Sequence, residues 1–153
     1  MAGASDSGAV QSRARILSKT LEELTNEFNS VIESAEDAIR NLRLGVPGRT
    51  LLEKWEDEQR VTRYRFLHFM KYDKTWRLMV EYTDEFNDDG EGGSFEPLLN
   101  ASRDLRLRAM QVLPDLIEDM MNTAATEIVE VKTAIDMARA FVSNIVTHER
   151  KGK

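Results

Sequence analysis

The stretch LSKTLEELTNEFNSVIESAEDAIRNL, residues 17–42, carries an unbroken 3-4 spacing of apolar side chains: Leu17, Leu21, Leu24, Phe28, Val31, Ala35, Ala38 and Leu42. Steps of four and three alternate without a slip over more than three heptads. A repeat averaging about 3.5 residues keeps one stripe facing a partner helix, which is the pattern of a coiled coil or a long helical bundle. Ile32 and Ile39 lie beside the stripe and widen it, which favours a bundle over a bare two-stranded coil. Glu22, Glu23, Glu27, Glu33, Glu36 and Asp37 occupy the other faces as solvated surface. The spacing predicts a first helix over about 12–44.

Downstream, Gly45-Val46-Pro47-Gly48 ends that helix, with Gly45 suited to a left-handed C-terminal cap. A loop this short folds the next helix back antiparallel. Thr50-Leu51-Leu52-Glu53 has the form of a capping box, and the second helix it opens is expected to reach Phe86. The inward stripe of that helix would be Leu51, Trp55, Thr62, Phe66, Phe69, Trp76 and Val80. Asp73 either lies on that stripe or caps a further helix. Asn87 to Pro97 reads as an acidic, Gly-rich loop, with Pro97 in the first turn of the helix that follows. The last helical stretch runs from Glu96 to about His148, and Pro114 interrupts or kinks it. Beyond Pro114 the apolar stripe is Leu116, Met120, Ala124, Ile128, Val131, Ile135, Ala138, Val142 and Ile145.

No segment shows clear strand alternation bounded by hairpin turns. The expected fold is therefore all-α, an antiparallel bundle of three or four long helices with coiled-coil-like packing. Residues 1–11 read as a disordered lead-in, 12–148 as one helical-bundle domain and 149–153 as a frayed charged tail.

Composition narrows the function. The chain has 153 residues, 41% apolar and 31% charged, which is enough for one domain with a real core. It has no cysteine, which excludes disulfides, thiolate metal sites and cysteine nucleophiles. No apolar run approaches the roughly 18 residues of a spanning helix, and the N-terminus lacks the charged-then-apolar pattern of a secretory signal. A cytoplasmic protein without membrane association is expected. The net charge of -6 repels nucleic acid at long range unless the basic residues are segregated.

Segregation is what the central segment shows. Trp55 to Phe86 holds eight of the eleven aromatic residues. Placed on a helix at about 100° per residue, Arg60, Arg63, Tyr64, Leu67, Lys71, Lys74, Leu78 and Tyr82 share one face. Such a face suits a protein partner anchored by Tyr and Arg, or phosphates met by Lys and Arg beside stacking Tyr. The plainer reading is a bundle helix whose cations meet acids on neighbours such as Glu22, Glu33, Glu118 or Asp119.

Other chemistry is poorly supported. Glu85, Asn87, Asp89, Gly90 and Glu96 fall at calcium-loop spacing, but Glu in place of Asp at the first position and Gly92 at the apolar position depart from what that loop needs. His68 and His148 lack the preceding Glu of a di-iron bundle, having Arg65 and Ile145 instead. No nucleophile elbow, phosphate loop or dinucleotide fingerprint occurs. The methionines Met70, Met79, Met110, Met120, Met121 and Met137 read as core filling.

The expected function is thus a non-enzymatic interaction or scaffold subunit, without cofactor or metal. It self-associates or docks into a larger assembly through the basic Tyr/Leu face. The alternative is a nucleic-acid-binding accessory subunit that uses the same face.

Overall fold

The computed structural model describes residues 3–87 and 93–152, with side chains from Asp6 onward. The chain divides into two compact units, Met1–Leu42 and Arg43–Lys153. The first holds one helix, α1 (Gly3–Asn41). Its polar side is laced by local pairs, among them Arg40 with Glu36 and Asp37. Ile32 and Ile39 are buried, while Leu17, Leu21, Leu24 and Val31 of the predicted stripe are exposed.

The second unit is a four-stranded antiparallel sheet followed by one helix. Its elements are β1 (Gly48–Glu56), β2 (Thr62–Tyr72), β3 (Thr75–Asp84), β4 (Ser94–Pro97), a 3-10 turn at Leu98–Asn100, and α2 (Arg103–Lys151). The strands lie in chain order, each paired with its neighbour. This overturns the all-α bundle and its coiled-coil-like packing. The supposed second helix is β1, β2 and β3. Its supposed capping box at Thr50–Glu53 lies within β1, where the register slips at Leu52 as a β-bulge.

Residue type explains the strands. Trp55, Thr62, Tyr64, Phe66, Phe69, Tyr72, Thr75, Trp76, Val80, Tyr82 and Thr83 are β-branched or aromatic, and such side chains fit a pleated surface better than a helix. Two turns made without Gly hide the hairpins. At the first, Asp57 accepts from the backbone N–H groups of Gln59 and Val61, and Arg60 takes a positive φ of 60°. At the second, Asp73 and Lys74 are the two central residues, with φ of 46° and 69°, as a type I′ connection requires. Asp73 is therefore a turn residue and neither a stripe position nor a helix cap.

The core of this unit joins Leu67, Phe69, Leu78 and Val80 from the strands to Leu98, Ala101, Leu105, Ala109, Leu116 and Met120, while Met79 is buried on the other face of the sheet. Gly48 has no side chain because α2 passes against it. A Cβ there would lie 2.4 Å from Met120 Cγ and 3.0 Å from Leu116 Cδ1. The free edge of β1 is held too, since the Arg49 backbone N–H donates to Asp119 Oδ2 at 2.9 Å. Ser102 caps α2 through an acceptor contact to the Leu105 N–H. Pro97 closes β4 and stands at the N-cap of the 3-10 turn, so the long helix opens later, at Arg103, and not at Glu96. Pro114 lies inside a continuous α2, so the helix neither breaks nor turns a corner there.

Candidate association surfaces

The eight residues expected on one basic face are dispersed by the sheet. Alternate residues of β2 point to opposite faces. Leu67 and Leu78 are core residues, 0% and 1% exposed. Arg60 and Lys74 sit in the turns at opposite ends of β2, and Lys71 lies near the Lys74 end. Eleven strand residues separate the two turns by roughly 30 Å. Tyr64 stacks on Phe66 on one face, while Arg63 and Tyr82 project from the other.

Arg63 is bracketed by carboxylates, with Nε 2.9 Å from Asp57 and Nη1 3.2 Å from Asp84. On the same face Arg65 lies between the rings of Trp55 and Tyr82, 4.7 Å and 5.3 Å from their centroids. Its guanidinium is paired with Glu53, whose second oxygen takes Arg108 Nη1 at 3.1 Å. Glu53 thus ties the sheet to α2. The Tyr82 hydroxyl donates to Glu96, and burial together with that bond pushes its pKa up to about 12. Glu96 is therefore engaged with a phenol. Of the other positions at calcium-loop spacing, Glu85 accepts from the Thr62 N–H and Asn87 donates to Asp84. Asp89, Gly90 and Gly92 lie outside the described residues.

The opposite face carries a second ionic cluster. Glu81 is buried, with Arg49 Nε at 3.2 Å and His68 Nε2 at 2.5 Å. Arg49 covers the Phe66 ring at 3.6 Å, and Phe95 meets His68 edge-on. Burial holds the His68 imidazole below its ordinary pKa of 6.5, and the Arg49 charge acts in the same direction. The hydrogen bond to Glu81 opposes them. This arrangement satisfies and orders the sheet; its charged groups are spent on one another.

The chain matches no family model, curated protein or solved structure. Its surfaces must therefore be judged on their own chemistry.

Among the described residues, the largest run of exposed apolar side chains lies along α2. Its buried residues end at Met120, and residues 125–152 are all exposed. At about 1.5 Å per residue this length extends roughly 40 Å. The predicted stripe continues along it: Ile128, Val131, Ile135, Val142 and Ile145 are between 43% and 57% exposed. Beside it Phe141 is 66% exposed and Val146 43%. A shallow groove of about 400 Å³ lies at its start, where Leu44 and Val46 face Ala124, Ile128 and Val131. The helical spacing was legible in the sequence. That this stripe stays uncovered within the unit was not, because burial depends on where α2 leaves the sheet. No helix among the described residues is long and apolar enough to cross a membrane.

Proposed function

We propose that the chain is a non-enzymatic scaffold or interaction subunit, whose sheet and first half of α2 form a head that presents a helical arm for self-association. The observation that carries this reading is the apolar stripe from Ile128 to Ile145, exposed along a helix whose earlier residues Leu116 and Met120 are buried. A contiguous exposed apolar surface of this kind marks an interaction site more often than a solvated one. The contact surface moves accordingly from the basic Tyr/Leu face to α2. Pairing of Arg63 and Arg65 with Asp57, Asp84 and Glu53 leaves those cations less available to phosphates, which supports protein over nucleic acid as the partner. The absence of cysteine suits a reducing, cytoplasmic compartment.

The test is solution mass by light scattering over a concentration series, with and without a mixed-sequence oligonucleotide, at low and high salt. A dimer or larger species indifferent to the oligonucleotide is expected. A monomer whose mass rises only with oligonucleotide, and reverts at high salt, would replace this reading with a nucleic-acid one.

A further inference from the structure

We infer that the exposed length of α2, from Glu127 to His148, pairs in parallel and in register with the same length of a second copy. The inference rests on the reading of the chain as a self-associating subunit and adds the partner and the geometry.

The stripe Ile128, Val131, Ile135, Ala138, Val142 and Ile145 steps by three and four in strict alternation. Two helices crossing at a shallow angle bury such a stripe against its own copy. Ile128, Ile135 and Val142 recur every seven residues and are all β-branched, which suits a two-stranded parallel pair at these positions, whereas Val131 and Ile145 on the other half of the stripe are not the Leu that such a pair prefers. Ala138 between them lets the two backbones approach.

The flanks decide direction. In a parallel, in-register pair, the residue just before each β-branched position faces the residue five further along the other helix. Glu127 then meets Lys132 of the second copy, an acid against a base. Phe141 meets Val146 of the second copy, so two apolar side chains that lie off the stripe and are exposed in one chain cover each other. Ala134 meets Arg139 of the second copy without conflict. An antiparallel pair sets like flank against like flank, which gathers Lys132 and Arg139 on one side and leaves Glu127 without a cation.

The chain has no cysteine, so introduced thiols report contacts unambiguously. In the full-length protein, Val131→Cys and Val142→Cys are each expected to form a disulfide-linked dimer alone on mild oxidation. Cross-linking only when the two variants are mixed would show an antiparallel pair and overturn this inference while leaving self-association intact. A dimer by mass that cross-links in neither way also overturns it, because pairing then lies elsewhere, α1 included. A parent protein that is monomeric at every concentration overturns both readings. Glu127→Lys is expected to weaken the dimer about tenfold, and adding Lys132→Glu to restore it; a double variant no better than the single one rejects the Glu127–Lys132 contact.

Discussion

His68 Nε2 lies 2.5 Å from Glu81 Oε2, joining β2 to β3 at a carboxylate whose side chain is 2% exposed. Arg49 reaches the same oxygen from β1, so one buried acid holds three strands. A buried carboxylate is tolerated only when its partners are complete, and here they come from the adjacent strand β2 and from β1 beyond it.

Acid should weaken the fold through this histidine. The folded protein resists protonating His68, chiefly because it is buried, whereas the unfolded chain takes up that proton near the ordinary value. Below about pH 6.5 the unfolded state therefore binds more protons, and stability falls as pH falls; above it this site makes no contribution to the slope. The effect is bounded at about 1.4 kcal/mol per pH unit for one site. Urea unfolding at pH 7.5 and 5.5 checks it. The His68→Gln variant should lose less stability between the two than the parent, and equal losses would remove His68 from the account.

Base should act through Tyr82. Its folded pKa is raised to about 12 from an ordinary 10, so unfolded chains release the phenolic proton first and stability is lost as pH climbs through that interval. Absorbance titration of the phenolate should show one late component near pH 12. Tyr82→Phe should delete that component and leave the rest unchanged.

Gly48 cannot carry a side chain without moving α2. Gly48→Ala sets a methyl group against Met120 and against the Leu116 carbonyl oxygen, 3.2 Å away. Met120 is flexible and yields, but backbone does not, so a loss of about 1–3 kcal/mol is expected in denaturant unfolding. Adding Met120→Ala should cost less in the Gly48→Ala background than in the parent, because the two share one contact.

Leu67 separates core from surface. It is 0% exposed, so Leu67→Ala should destabilise by about 2–5 kcal/mol. Lys71→Ala, at an exposed position on the same strand, should change stability by less than about 0.5 kcal/mol. Similar midpoints for the two variants would contradict the placement of β2.

The helices were legible because their evidence is local. The 3-4 spacing between Leu17 and Leu42 predicts a helix over about 12–44; α1 spans Gly3–Asn41 and so takes in residues expected to be a disordered lead-in, and the stripe beyond Leu116 predicts the second half of α2. Gly45 takes the left-handed conformation expected of it, with a φ of 66°, but α1 ends at Asn41, so it does not cap that helix. The sheet was not legible, because β2 is half-apolar on both faces: Leu67 and Phe69 alternate with Phe66, His68 and Met70. That pattern blurs the period of two and lets a helical stripe be drawn through Leu51, Phe66 and Val80. The turns at Asp57–Arg60 and Asp73–Lys74 contain no Gly or Pro to announce them.

By itself, then, the sequence determined two long helices, the conformation of Gly45 and the absence of thiol chemistry. Each follows from a residue's own stereochemistry or from spacing within a few turns. Only the tertiary structure decided that residues 48–97 form a sheet, that Arg63 and Arg65 are matched by Asp57, Asp84 and Glu53, and that α2 is uncovered after Met120. Those outcomes depend on pairings between residues far apart in the chain. Strand register decides which side chain meets which, and no local pattern records it.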